Sequence, residues 1–505
     1  MSLIKKAVAA ALVTSVATSA YAVDVSSYNG DATKTNVYVS GSTAVNIVLW
    51  QSAVHTPAGA TTTALCNSSS GTIDVYSDAA DTKNPAAQIF IYCKGSTASG
   101  VPGNIALFKE SAIGSINGSQ PLINQTTASN TVKFVDATTL TDAACAAGVA
   151  GTLPGAQPYT FHANCVFPVM TTAQAAAVKI TGGISDVEAT LLGVNSSSIT
   201  SSLQSAPGLA PVWAAAVNQT FYDQLRKAQC LDGSCPGKPL VSPLTPAGVP
   251  SLTKAQLAAI YSQQLADSSQ IAGTGATPGT VIGICRREFG SGTEASAELF
   301  WLGEGCGTSD LVVPPGDNVN VFENTSTGKI AACLQQMDIV GGTVNGQPAG
   351  GPRPAVGIVS SENGPSTFGS GTMRVVGVDG ALPTLENVAN GFYPFFSEDV
   401  LYNNSSSTIY TGNPKKVWEL VKSNIGTPAF LADSNKAFQN YWGDSGDLAP
   451  PSIYGAPSVI PATQTSVRAS PISGLTKSPN GTVNNCDTAV VFGASNTAPY
   501  QFLNQ

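Results

Sequence analysis

The sequence predicts an α/β chain with material for two domains. Three observations carry this prediction. Short apolar or alternating strands repeatedly give way to a hydroxyl-rich turn and then to a helical pattern; 505 residues suffice for two domains of ordinary size plus decoration; and a hydrophobic content of 43% supplies real cores. The first unit is the alternating run Asn36 to Ser40, the turn Gly41-Ser42-Thr43-Ala44 and an apolar helical segment reaching Trp50. The second is the strand-like Asn104 to Lys109, leading into Ser111-Ala112-Ile113-Gly114-Ser115-Ile116-Asn117-Gly118-Ser119. The third is Gly182-Gly183-Ile184-Ser185-Asp186-Val187-Glu188, where an acid stands at the mouth of a short helical pattern ending at Gly193.

The fourth unit is the most informative. Val281 to Cys285 reads as a buried strand, and Glu294 to Leu302 carries Leu299 and Leu302 at helical spacing, so Arg286-Arg287-Glu288-Phe289-Gly290-Ser291-Gly292-Thr293 opens a helix. Free N–H groups at a helix start, the hydroxyls of Ser291 and Thr293 and the planar fork of Arg287 together favour an oxyanion. Gly290 and Gly292 let such a ligand approach the backbone. Each residue also has an ordinary structural explanation: serines and threonines form turns, Ser-Asp caps helices, and most arginines make surface ion pairs. Their joint recurrence after strands is what points to binding. Arg286 alternates to the other face of its strand and is assigned a structural role.

Lys5-Lys6, the apolar run Ala7 to Ala17 and Ala20-Tyr21-Ala22 are the charged, hydrophobic and cleavage regions of a secretory signal, so residues 1–22 are expected to be removed and the mature chain to start at Val23 in the periplasm or outside the cell. No later window has the eighteen or so apolar residues of a membrane span. The mature chain carries 21 basic and 31 acidic side chains, a net charge of −10 that disfavours nucleic acid as a partner. Ten cysteines in an exported protein make disulfides the default over metal ligation. Order along the chain leaves connectivity open; nearest-neighbour pairing joins Cys66 to Cys93, Cys145 to Cys165, Cys230 to Cys235 and Cys285 to Cys306, leaving Cys333 for Cys486.

The four turns, in this order and chemistry, resemble the periplasmic phosphate-binding proteins of ABC transporters, a branch of the type II periplasmic binding protein superfamily. The family's first-loop Gly-x-Thr is matched by Gly41-Ser42-Thr43, its second-loop Gly-Ser by Gly114-Ser115, its third-loop Gly-x-Ser-Asp by Gly183-Ile184-Ser185-Asp186, and its fourth-loop Arg-x-x-Gly-Ser-Gly-Thr by Arg287 to Thr293. Weaker echoes are the helix at Ser251 to Tyr261, Ala355 to Val359 and the return at Phe392-Tyr393-Pro394. The similarity runs from about Asn36 to Trp442, and its third and fourth motifs are the specific ones.

The resemblance implies a two-lobed fold with hinge crossings near Pro211 and Phe392: residues 23–211 plus 393–505 as lobe 1, with disulfide-bearing insertions at about 56–103 and 121–179, and 212–392 as lobe 2. It implies a ligand set of Ser42, Thr43, Ala44, Gly114, Ser115, Ser185, Asp186, Arg287, Ser291, Gly292 and Thr293, no cofactor, a small anion such as phosphate as ligand, and an ABC permease as partner. Asp186 would accept a hydrogen bond from a protonated ligand and repel a fully ionised one. The chain departs from the family at Phe289, where an acid often buttresses the arginine, and at Ala44, where an aromatic is usual; another small oxyanion or an organic acid therefore stays open.

An enzyme is not expected: His55 and His162 are the only histidines, and no nucleophile elbow or metal-binding motif is present. The competing function is a secreted or cell-surface protein using the same fold for scavenging, adhesion or assembly without transport, favoured by the large insertions and low charge. Beyond Leu448 the chain is rich in Pro, Ser and Thr and reads as an irregular wrap.

Overall fold

The alternation of Thr35–Gly41 buries Val37 and Val39 and leaves Asn36 and Tyr38 half-exposed, and this strand stands at the middle of a nine-stranded sheet. The computed structural model describes residues 25–55, 64–68, 72–79, 87–112, 114–126, 132–151, 156–303, 320–363, 373–451, 467–468, 470–478, 482–486 and 489–491. The expected signal segment and Cys306 lie outside them. Thr35–Gly41 pairs in parallel with Asn104–Glu110, Val37 opposite Leu107, and with Gly182–Ser185, Val39 opposite Gly182. Parallel neighbours end on the same edge, so the first three hydroxyl turns leave the sheet side by side. Val400–Asn404 then returns antiparallel to Gly182–Ser185.

The two long insertions are part of this sheet. Ile73–Ser77 and Gln88–Lys94 come from the first, and Val149–Ala150 and Thr160–His162 from the second; they add four strands beyond Asn104–Glu110. Their apolar side chains, Val75, Ile89, Ile91 and Phe161 among them, enter the core on one sheet face, while Tyr76, Phe90 and Tyr92 enter the core on the other.

A six-stranded sheet is built from Trp213–Val217, Ser251–Leu252, Gly283–Arg287, Val321–Asn324, Ala355–Ser360 and Arg374–Val378. Its central strands are buried along their whole length, as expected where helices cover both faces of a sheet. Gly283–Arg287 runs parallel to both neighbours, Val321–Asn324 and Ala355–Ser360. The expectation of an α/β chain is met.

Helices form where capping and periodicity ask for them. Gln219–Ala228 buries Phe221, Tyr222 and Leu225 and is capped by Asn218, whose side chain accepts from the Phe221 N–H. Lys254–Tyr261 starts with a reciprocal capping box between Thr253 and Gln256. Thr253→Ala is expected to lower unfolding stability by about 1 kcal/mol, measurable by urea denaturation, with ligand binding unchanged. The helix predicted from Glu294 to Leu302 begins at Gly292, changes to π-helix over Glu298–Leu302, and stops at Gly303 with φ 72°. Its end packs on the segment that returns from the second sheet: the Phe300 ring stacks on Phe395 at 4.6 Å.

The two connecting segments hold one another. Val212 bridges Phe396, Trp213 Nε1 donates to Ser397 Oγ at 2.9 Å, and the Tyr393 hydroxyl donates to the Trp213 carbonyl at 2.8 Å. The later chain adds Asp447–Leu448, paired with Ala210–Pro211.

Cys66–Cys93, Cys145–Cys165 and Cys230–Cys235 form as expected. The pairings Cys285–Cys306 and Cys333–Cys486 do not: Cys285 is bonded to Cys333, with Cα atoms 6.0 Å apart. The reason is topological. After Val321–Asn324 the helix Thr327–Gln336 crosses back over the sheet and buries Cys333 against the strand that carries Cys285, so the cysteine next in space is not the one next in sequence. Cys486 is itself disulfide-bonded. Among the described residues no helix is long and apolar enough to cross a membrane.

Candidate functional site

Close backbone contact is what brings the first three loops together. Gly41 has φ 111°, and a Cβ there would meet the Ile184 carbonyl oxygen at 1.9 Å; a Cβ on Gly183 would meet the Gly118 oxygen at 1.7 Å. Only glycine permits these approaches. They set Ser42, Ser115 and Asp186 into one buried cluster. The Ser42 hydroxyl donates to Asp186 Oδ1, the Ser115 hydroxyl donates to Asp186 Oδ2 at 2.9 Å, and the Asp186 N–H donates back to Ser115 Oγ at 3.3 Å.

The fourth loop meets this cluster from the other sheet. The Ile116 N–H donates to the Gly290 carbonyl at 2.9 Å. A Cβ on Gly292 would lie 2.5 Å from Ser115 Oγ and 2.7 Å from Asp186 Cβ, and one on Gly114 would lie 3.3 Å from Ser291 Cα and 3.7 Å from an Arg287 guanidinium nitrogen. Ser291 caps the helix Gly292–Ala297 by accepting from the Glu294 N–H. Arg287 is buried; its Nε donates to the Asn324 carbonyl at 3.2 Å and a terminal nitrogen to the Thr325 carbonyl at 3.1 Å. Those two bonds fix the plane of the fork.

Of the residues singled out in sequence, Ser42, Gly114, Ser115, Asp186, Arg287, Ser291 and Gly292 thus converge, with Thr43 and Thr293 buried beside them in the same turns. Ala44 is buried in the core of the second sheet, an apolar contact between the two halves. Ser185 is spent locally, its hydroxyl donating to the Val187 carbonyl at 2.6 Å. Arg286 points the other way and pairs with Glu323 at 2.9 Å.

Burial pushes the Asp186 carboxyl up, and hydrogen bonds from Ser42 and Ser115 with the charges of Arg287 and Lys109 oppose the rise. Burial likewise pushes Glu294 up to about 7, against Arg286 and the Arg287 N–H. Sequence reasoning missed Glu294, although its place in the first turn of a helix is a recognised preference. It also missed Lys109, whose signal was a lone cation followed by Glu110 at the end of an apolar strand. Three further carboxyls, Glu362, Asp399 and Asp447, are pushed up by burial and further by the charge of Asp186. Among the described residues neither oxygen of Asp399 has a hydrogen-bond partner. Among the described residues no group of three or more His, Cys, Asp or Glu is arranged to hold a metal ion.

No family model matches the chain, and no curated protein does. Among solved structures it is similar to a proposed phosphate ABC transporter substrate-binding protein from Clostridium perfringens with bound phosphate, at 13% identity and TM-score 0.40, covering 80% of this chain and 98% of that one. PstS from Borrelia burgdorferi follows at 11% identity and TM-score 0.32, covering 76% and 91%. An ABC-type phosphate transport receptor from Vibrio cholerae is 18% identical, with TM-score 0.27 and coverage of 48% and 78%.

Proposed function

We propose that this chain is an extracytoplasmic solute-binding protein that captures a small oxyanion, phosphate first among them, for an ABC importer. In this reading residues 1–22 are a signal, 23–211 with 393–505 form one lobe, 212–392 the other, and the chain performs no chemistry on its ligand. The observation that carries it is the convergence of Ser42, Ser115 and Asp186 from one sheet on Arg287, Ser291 and Gly292 from the other. Hydroxyls, a helix start and a guanidinium are donors to oxygen; the single carboxylate is an acceptor with lone-pair sites beyond those its two serines use. A ligand oxygen that bears a proton can donate to Asp186, and one that does not is repelled, so hydrogen phosphate is favoured over sulfate.

The test is calorimetric titration of the mature protein with phosphate, sulfate and short carboxylates. Phosphate is expected to bind at least tenfold more tightly than sulfate. Asp186→Asn, whose amide can donate where the carboxylate only accepts, is expected to narrow that ratio by at least tenfold. Silence toward every anion overturns the proposal, and an unchanged ratio removes Asp186 from selectivity.

A further inference from the structure

We propose that Lys109 is the second cation of this oxyanion site and the residue that holds the first loop in its binding shape. Lys109 is the penultimate residue of the strand Asn104–Glu110, opposite Val39, and its side chain is 1% exposed. Its ammonium donates to the Gly41 carbonyl at 2.7 Å, the Ser42 carbonyl at 3.0 Å, the Glu110 carbonyl at 3.2 Å and the Ser111 hydroxyl. Ser111 is in turn set by Asn46 Oδ1 at 3.2 Å. Two of these acceptors are the carbonyls of the turn whose Ser42 hydroxyl meets Asp186.

The geometry has a direct consequence. In a trans peptide the C=O and the following N–H point in opposite directions, and the Ser42–Thr43 peptide is trans. With the Ser42 carbonyl fixed on the ammonium, the Thr43 N–H is turned away from it. Three or four charge-assisted bonds hold the loop more firmly than a neutral side chain would.

The charges lead to the same residue. Asp186 and Arg287 carry opposite charges, and burial pushes the Glu110 and Glu294 carboxyls toward their neutral forms, so a bound anion would lack full compensation in a buried site, a costly arrangement. Lys109 supplies the missing positive charge from beneath the first loop. The charged groups acting on it are Glu110 on its own strand and Asp186 on the third loop, which Arg287 reaches from the fourth. Burial pushes the Lys109 ammonium down to about 7. An adjacent anion opposes that shift by favouring the protonated form.

The inference rests on the oxyanion reading, and the experiment separates the two. Calorimetry first establishes whether wild-type mature protein binds inorganic phosphate or sulfate. The Lys109 ammonium is then followed by NMR of lysine-¹⁵N-labelled wild-type protein, identified by its contacts to Ser111 and Asn46, across pH 5.5 to 9.5 with and without saturating phosphate. Its titration midpoint is expected to rise by at least one pH unit on binding, and Lys109→Met, checked for folding by circular dichroism, to bind phosphate at least tenfold more weakly. A midpoint unmoved by bound phosphate overturns the role of Lys109 whether or not the variant folds, as does a folded variant within twofold of wild type. Absence of binding by wild-type protein overturns the oxyanion reading and this inference with it.

Discussion

Replacing Arg287 with alanine is expected to weaken oxyanion binding by about 2 to 5 kcal/mol, a loss of roughly 30-fold to several-thousand-fold in affinity. The magnitude follows from burial. Arg287 is 1% exposed, so its charge acts without the screening that makes surface pairs weak. Truncation removes the donors to a ligand and leaves Asp186 facing an anion without its counter-charge. Arg287→Lys keeps the charge but loses the planar fork that Asn324 and Thr325 hold in place, so an intermediate loss is expected. Arg286→Ala is the control: its side chain pairs with Glu323 on the neighbouring strand Val321–Asn324, and binding should stay within a few-fold of wild type. Calorimetric titration of the three folded variants checks the order. Equal affinity of wild type and Arg287→Ala would take Arg287 out of the site.

What the sequence disclosed was set by local signals. Strand, hydroxyl turn and helix succeed one another within twenty residues at Thr35–Val54 and Gly283–Leu302, so periodicity and turn chemistry place those elements without any knowledge of tertiary contacts. The convergence of Ser42, Ser115 and Asp186 was legible through motif order, since parallel strands bring such turns to one edge. Pairings decided by how helices cross sheets were not legible: Cys285 meets Cys333 only because Thr327–Gln336 folds back over its strand. The insertions read as decoration because nothing local says that Gln88–Lys94 will pair with Asn104–Glu110; that choice is a non-local register. Lys109 and the carboxyls behind Asp186 escaped for a related reason. Each is an ordinary charged residue in sequence, and only burial makes it unusual.

Burial of those charges predicts an uncommon dependence of stability on pH. Glu294 and Glu362 are both pushed up to about 7 from an ordinary value near 4.5, the first by burial, the second by burial reinforced by Asp186. Between pH 4.5 and 7 the folded state therefore holds protons that the unfolded chain has released, so stability falls as pH rises, by about 3 kcal/mol for each group over that interval. Asp399 and Asp447, also raised, act in the same direction. The carboxyls that hydrogen bonds hold below their ordinary range, such as Asp31, Asp136 and Glu419, withdraw their modest contributions only as pH drops below about 4. Lys109, pushed down to about 7, and Lys477, pushed down to about 8, have the opposite sign from the glutamates: the unfolded chain keeps protons that the folded state lacks, so they return stability as pH climbs from there toward 10.5. The ligand-free mature protein is thus expected to be most stable near pH 4.5 to 5 and to weaken toward neutrality, where many proteins are at their best. Urea denaturation across pH 4 to 9 measures this directly. Glu362→Gln keeps the side chain's size and removes its titration, so it should flatten the descent between pH 4.5 and 7 by about 3 kcal/mol while leaving stability at pH 4.5 nearly unchanged. A wild-type curve that rises from pH 4.5 to 7 would mean that these carboxyls are solvated or paired in the folded protein, and the buried cluster behind Asp186 would have to be abandoned.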